Sequence, residues 1–212
     1  MAEPIFDGST WETFPALELP GIKHGFSWRS AIPREELESR VPEFLERGGF
    51  PSERTIYGEQ PHGNGVAVVK TVPPTRYAGV DAMVTALRQT PLVVRVADCG
   101  PVYFYDPVKQ VIGLAHSGRK GTELNITSEV IRTLRENYDT NPGDLIVQLG
   151  PCIRPPHYEV PFAAMILQQA RDAGVTQVHD CGRCTAATLP HYYSYRAEKG
   201  QTGRMWAVLM LA

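Results

Sequence analysis

The stretch PLVVRVADCGPVYFYDPVKQVIGLAHSG, residues 91–118, decides the fold class of this chain. Three runs in it, PLVVRVAD, PVYFYDP and QVIGLAHSG, are rich in the β-branched and aromatic residues typical of buried strands. Asp98 and Cys99 interrupt the apolar pattern just before Gly100 and Pro101, which are predicted to end the first strand ladder. The pattern therefore places a carboxylate and a thiol at the end of a strand, where side chains can reach a cleft.

The segments around this stretch alternate between strand and helix patterns. RTIYGEQ, GVAVVKTV and DLIVQLG have strand composition, whereas PFAAMILQQARDAG has a helical pattern that Gly174 ends. In GTELNITSEVIRTLRENYD a helix is predicted, because five apolar residues fall at helical spacing: Ile126, Val130, Ile131, Leu134 and Tyr138.

Three further segments complete the prediction. PREELESRVPEFLERGG is predicted to form two short helical pieces, each with a proline in its first turn. AGVDAMVTALRQ is predicted to be a short helix or a loop, and HYYSYRAEKGQTGRMWAVLMLA a closing hairpin. Strands and helices mixed in this way, with some strands adjacent, predict an α/β fold: a layered α/β sandwich with a mixed β-sheet, in a single domain over residues 1–212.

Composition excludes several classes of protein. Among the 212 residues 42% are hydrophobic and 21% charged, and the net charge of −2 offers no basic surface for nucleic acid. The sequence contains neither a signal-peptide pattern nor about 18 consecutive apolar residues that could span a membrane. We therefore expect a cytoplasmic protein with no membrane partner. Its four cysteines are then expected to be thiols or metal ligands rather than disulfides.

Three side chains at predicted strand ends have the chemistry of a catalytic centre: His62, Cys99 and His116. A thiolate and two imidazoles suit zinc and leave a fourth position open for water or substrate. Asp98 could then orient one of the ligands. Two other interpretations use the same residues: Cys99 as a small core residue, or as a nucleophile with a histidine base in a hydrolase.

Two more motifs carry possible sites. In HSGRKGT, Gly118 permits close approach of a ligand, Arg119 and Lys120 supply positive charge, and a helix follows; phosphate would suit this loop, which could equally be a simple turn. CGRC, with Cys181 and Cys184, has the spacing of a structural zinc or redox pair, but one such motif is a weak signal.

Taken in order, the motifs of this chain resemble those of the bacterial laccase-domain family, whose members are described as multicopper polyphenol oxidases and as purine nucleoside phosphorylases. The motifs are HGFS, EQPHGNGV, GVDAMVT, VADCGPV, GLAHSGRKGT, LGPCI, YEV, YYSYR and TGRM. The resemblance implies that His62, Cys99 and His116 are zinc ligands and catalytic residues, with copper possible at the same site. It also implies the family's layered α/β sandwich.

The implied reaction is phosphorolysis of adenosine or inosine to the free base and ribose 1-phosphate, with adenosine deamination and methylthioadenosine cleavage as further activities. Gly118, Arg119, Lys120 and Arg196 would then contact the phosphate or the nucleoside. Where the family usually reads His-Ala-Gly-Trp-Arg-Gly, this chain has HSGRKG. Because lysine lacks the two-pronged guanidinium of arginine, the selectivity for phosphate or substrate is expected to differ here.

Other functions stay open at this point. A complete laccase copper set needs about ten histidines, judged from the ligands that copper prefers, and the chain has six. A polyphenol oxidase with a single copper remains chemically reasonable. A Cys–His hydrolase or amidase acting on a peptidoglycan precursor, and a binding protein without catalysis, are the remaining alternatives.

Overall fold

The computed structural model describes residues 6–212 of the chain, and these form eleven strands and four α-helices. The strands are β1 (Ile22–Phe26), β2 (Ile56–Gly58), β3 (Val66–Val69), β4 (Arg76–Tyr77), β5 (Ala82–Thr85), β6 (Leu92–Val96), β7 (Gly100–Asp106), β8 (Val111–Ser117), β9 (Ile146–Leu149), β10 (Gln177–Asp180) and β11 (Met205–Leu211). The helices are α1 (Arg34–Arg47), α2 (Arg119–Glu123), α3 (Ile126–Tyr138) and α4 (Phe162–Asp172). None of the described helices combines the length and the apolar composition that a membrane span requires.

The strands divide into two sheets, and each sheet mixes parallel and antiparallel pairs. The first has the order β1-β11-β6-β2-β4 and the second β10-β9-β7-β8-β5-β3. In the first sheet, β2 runs parallel to β4 and β6; in the second, β3 is parallel to β5 and β9 to β10. The predicted α/β sandwich with mixed sheet structure is thus confirmed.

Two apolar cores hold the layers together. The larger one joins side chains of both sheets with α1, whose Phe44 ring lies 5.7 Å from the ring of Trp206 on β11. The smaller one fills the space between the second sheet and helices α3 and α4, with Phe104 and Val130 among its members. The residues predicted at helical spacing on α3 contribute to this core, as expected for a helix that packs on a sheet.

The chain passes from the first sheet to the second between β6 and β7, through residues 97–99. The strand predicted from Pro101 is β7, and Gly100, which was predicted to belong with Pro101 to the break before it, is its first residue; the two residues pair with Ser117 and His116 of β8. A proline is tolerated near the start of a strand, because the amide hydrogen that it lacks need not serve the ladder there. Asp98, with a φ of 82°, makes the turn between the sheets. Cys99 therefore lies at the junction of the two sheets.

Three predictions about secondary structure were wrong. The segment predicted to be a helix or loop contains β5, which is buried throughout between β3 and β8, and a short buried strand cannot be told from a helix by periodicity. α1 is one helix that contains Pro42, because its buried residues, Leu37 and Phe44 among them, lie on both sides of that proline. The C-terminal segment contributes the single strand β11, which pairs with β1 and β6 instead of forming a hairpin.

Candidate metal centre

Three side chains predicted to be ligands meet in the structure. His62 lies in the loop between β2 and β3, Cys99 directly precedes β7, and His116 is the penultimate residue of β8. One ligand atom of each lies within 4.8 Å of the others. Within residues 6–212 no other group of three or more histidine, cysteine, aspartate or glutamate side chains comes together in this way.

A buried carboxylate orients two of these three residues. Asp81 precedes β5, and its Oδ1 lies 2.8 Å from Nδ1 of His116. Its Oδ1 also accepts the backbone N–H of His62 at 3.0 Å, and its Oδ2 that of Gly63 at 2.7 Å. His62 has a φ of 64°, a conformation that costs a non-glycine residue energy unless its surroundings hold it. Asp81 therefore fixes both the His62 loop and the ring of His116.

The contact with Asp81 also decides which nitrogen of His116 is available. When Nδ1 of a neutral imidazole donates to a carboxylate, Nε2 is left as the free acceptor, which is the usual arrangement of a metal-ligating histidine. From the sequence, Asp98 was the candidate for this orienting role, and Asp81 was given none. The available signal was an aspartate within the otherwise apolar stretch AGVDAMV.

The charges of the cluster favour a thiolate. Burial alone would raise the pKa of the Cys99 thiol, but the nearby His116 and His62 lower it to about 6. Burial would lower the pKa of His116, whereas Cys99 and Asp81 raise it to about 9. A thiolate is the form of cysteine that binds metal, whereas a metal ion would have to displace the second proton of His116 in order to bind its Nε2.

The donor set fits one transition metal with an open position. Two imidazoles and one thiolate are ligands that both Zn²⁺ and copper accept, and three protein ligands are typical of catalytic zinc. The other four histidines of the chain lie outside the cluster: His24, His157, His179 and His191. Cys181 and Cys184 are free thiols that join no such group within the described part of the chain.

The cluster opens into a large cleft. The cavity has a volume of about 1200 Å³, and His62, Cys99 and His116 contribute to its wall. Gly118 packs so closely on the thiol that a Cβ atom there would lie 2.7 Å from Cys99 Sγ. The remaining wall combines apolar and aromatic side chains with cations: Ile153, Tyr158, Phe162, Tyr195 and Trp206, and five arginines. Such a cleft has the size and mixed lining of a small-molecule site.

The residues predicted to bind phosphate do not all reach this cleft. Gly118, Arg119 and Arg196 line it, but Lys120 does not. The Arg119 guanidinium donates to Glu123 at 2.8 Å. Arg196 bonds with Glu159 and lies over the ring of Tyr158, with 4.8 Å from its guanidinium carbon to the ring centroid.

Asp98 connects the cleft wall to more distant parts of the chain. Its Oδ1 accepts from the hydroxyl of Thr185, and its Oδ2 from the backbone N–H of Arg196, both at 2.7 Å. It contacts neither histidine of the cluster through these bonds. The carboxylate next to Cys99 therefore holds the segment that carries Arg196.

Comparison with known proteins gives consistent matches. A family model described as multi-copper polyphenol oxidoreductase laccase matches residues 33–165 and 161–212. A Deinococcus radiodurans protein named purine nucleoside phosphorylase is 34% identical over 209 residues, which cover 86% of this chain and 80% of that protein. Purine nucleoside phosphorylase YlmD of Bacillus subtilis is 29% identical over 195 residues, which cover 73% of this chain and 69% of that protein. The crystal structure of YlmD from Geobacillus stearothermophilus shares the fold, with a TM-score of 0.83 at 24% identity over 93% of this chain and 94% of that one.

Proposed function

Because the chain belongs to the multi-copper polyphenol oxidoreductase laccase family, we propose that it is a purine nucleoside phosphorylase with a metal at His62, Cys99 and His116. The observation that carries this proposal is the oriented His–Cys–His cluster in the wall of a cleft of about 1200 Å³. Relatives named purine nucleoside phosphorylase support the reaction class. We propose zinc as the metal, with copper as the alternative at the same ligands.

The proposed reaction exchanges one bond at the sugar. An oxygen of phosphate forms a bond to the anomeric carbon of the ribose while the bond from that carbon to the purine nitrogen breaks. The leaving nitrogen takes the electron pair and the proton that hydrogen phosphate gives up, so that the products are the free base and ribose 1-phosphate. Bound zinc would supply a positive charge that attracts electron-rich atoms of the ligand.

The chain's own residues supply binding and orientation. Asp81 holds the His62 loop and the His116 ring through its hydrogen bonds. The aromatic rings of Tyr158 and Tyr195 in the cleft wall offer faces for the purine. Arginines in the same wall offer the donors that phosphate needs. The sequence-based assignment of Gly118, Arg119, Lys120 and Arg196 to phosphate stays a prediction.

The proposal is tested by metal analysis together with a nucleoside panel. Adenosine, inosine and methylthioadenosine are incubated with the metal-loaded protein, with and without phosphate, and free base, ribose 1-phosphate and ammonia are measured. We expect base and ribose 1-phosphate only when phosphate is present. Ammonia from adenosine would add the proposed deaminase activity. Absence of base release from every nucleoside, beside an active control enzyme, would contradict the proposal.

Variants connect the activity to the cluster. We expect Cys99→Ser and His116→Ala to lose both bound metal and activity. His157→Ala and Cys181→Ser are matched controls, because neither residue lines the cleft, and they should keep both. Full activity in the presence of a chelator would instead favour the Cys–His hydrolase, which uses the same side chains without metal.

A further inference from the structure

The five arginines that line the cleft differ in how their charges are compensated. They are Arg34, Arg95, Arg119, Arg196 and Arg204. Three of them form ion pairs with a glutamate: Arg95 with Glu38, Arg119 with Glu123, and Arg196 with Glu159. Arg34 and Arg204 form no ion pair with any residue of the range 6–212. Of the two glutamates in the cleft wall, Glu35 and Glu38, the second is the partner of Arg95. The uncompensated positive charge therefore lies at Arg34 and Arg204.

The guanidinium of Arg204 makes hydrogen bonds through one nitrogen, and its carbon lies 5.9 Å from the centre of the Tyr195 ring. Its Nη1 donates to the backbone carbonyls of Gly203 at 2.8 Å and Thr202 at 3.3 Å. The backbone is tightly packed there, since a Cβ atom on Gly203 would lie 2.5 Å from the ring of Tyr193. Nε and Nη2 have no hydrogen-bond partner in the part of the chain that the structure describes. This edge of an arginine is one that binds two oxygens of a carboxylate or phosphate at once.

The surroundings of Arg204 also favour an anion. Burial lowers the pKa of its guanidinium, and the neighbouring positive charges of Arg34 and Arg95 lower it further. The negative charge of the Cys99 thiolate acts in the opposite direction, and Cys99 lines the same cleft as Arg204. Since arginine stays protonated in proteins, an anion that binds among these cations would reduce the repulsion that Arg204 experiences.

We propose that Arg204, assisted by Arg34, forms the oxyanion subsite of the cleft and binds inorganic phosphate through its Nε and Nη2 edge. Arg119, whose Nε is occupied by Glu123, contributes little to this binding. The identification of phosphate as the co-substrate rests on the proposed phosphorylase function. The subsite itself rests on the anchored, unpaired guanidinium of Arg204.

Direct titration with inorganic phosphate tests the subsite without any turnover. Calorimetric dissociation constants are measured for the metal-loaded protein and for Arg204→Gln, Arg204→Lys, Arg119→Gln and Arg132→Gln. Arg132 is a surface control, because it lies on α3 between Glu129 and Glu136 and does not line the cleft. We expect Arg204→Gln to weaken phosphate binding by about tenfold or more, since a charge-assisted bond is lost. The affinity of Arg204→Lys for phosphate should be intermediate, because lysine keeps the positive charge but cannot donate two parallel hydrogen bonds to one anion.

The phosphate affinities of the four variants distinguish a subsite at Arg204 from one at Arg119. Arg119→Gln and Arg132→Gln should bind phosphate within about twofold of the native protein, since neither removes a charge-assisted bond to it. Native-like binding by Arg204→Gln, a larger loss in Arg119→Gln, or absence of phosphate binding by the native protein would overturn the subsite. If Arg204→Gln does not fold, Arg204→Lys decides by the same comparison. If phosphate binds through Arg204 but no nucleoside is cleaved, the subsite stands and the phosphorylase function fails.

Discussion

Asp81 Oδ1 lies 2.8 Å from Nδ1 of His116, and both side chains are buried. The same carboxylate accepts the backbone N–H groups of His62 and Gly63. One buried charge thus sets the positions of two predicted metal ligands that belong to different parts of the second sheet and its loops. The geometry of the centre depends on this residue as much as on the ligands themselves.

Replacing Asp81 by asparagine is expected to weaken metal binding. The amide keeps the shape of the carboxylate but loses its charge and one acceptor, so the His116 ring and the His62 loop are held less firmly. Loss of such an orienting partner typically costs about 10- to 100-fold in metal affinity. Competition with a chromophoric zinc chelator measures this change. Asp98→Asn is the matched control, and equal affinities of Asp81→Asn and the native protein would contradict the assigned role.

Replacing Asp98 by asparagine is expected to destabilise the fold near the cleft without releasing the metal. An asparagine can accept only one of the two hydrogen bonds that Thr185 and the Arg196 amide now donate. Leaving one buried donor unpaired costs about 1–3 kcal/mol of the free energy of unfolding, measured by urea denaturation. Asp172→Asn, a change on the exposed end of α4, should stay within about 0.5 kcal/mol. A loss of metal from Asp98→Asn larger than that from Asp81→Asn would reverse the two roles.

Replacing Gly118 by alanine is expected to disturb the thiolate while leaving the backbone unstrained. The φ of Gly118 is −87°, which alanine adopts freely, but the added methyl group would meet Cys99 Sγ at 2.7 Å. We expect zinc affinity to fall by about tenfold or more, as it does when ligand orientation is lost. Gly143→Ala is the control, because its new Cβ would make ordinary contacts at 3.5 Å. Unchanged zinc affinity in Gly118→Ala would show that the loop can shift away from Cys99 without disturbing the site, and would contradict this prediction.

His24 is expected to make the stability of the protein depend on pH. Its Nε2 accepts the backbone N–H of Phe14 at 2.8 Å, and its ring stacks beside that of Phe14. Burial lowers the pKa of His24 from 6.5 to about 4, against the opposing effect of Glu18. The folded state therefore prefers the neutral ring. Its contribution is complete above pH 6.5 and is lost as the pH falls toward 4, because only the unfolded chain takes up the proton.

Urea denaturation at pH 7.5 and 4.5 measures the contribution of His24. At about 1.4 kcal/mol for each pKa unit, the native protein should lose about 2–3 kcal/mol more than His24→Gln over this interval. Glutamine can still accept from Phe14 but does not titrate. An identical pH dependence in both proteins would show that the His24 ring is protonated in the folded state.

The sequence by itself indicated three candidate ligands and much of the secondary structure. His62, Cys99 and His116 could be singled out because metal-binding side chains next to glycines interrupt strand patterns, and α3 because its apolar period is strong. The sequence alone also indicated the α/β sandwich, since strand runs follow one another directly and helices come between others. These features are local, so periodicity and turn residues suffice to recognise them.

Only the tertiary structure decided which carboxylate contacts His116 and which arginines of the cleft form ion pairs. Asp98 is the neighbour of Cys99 in sequence, but Asp81 contacts His116, because β5 and β8 are paired in the second sheet. The sequence likewise favoured Arg119 and Lys120 for an anion, whereas folding pairs Arg119 with Glu123 and leaves one edge of Arg204 open. Such partnerships arise from contacts between residues distant along the chain, and no local pattern encodes them.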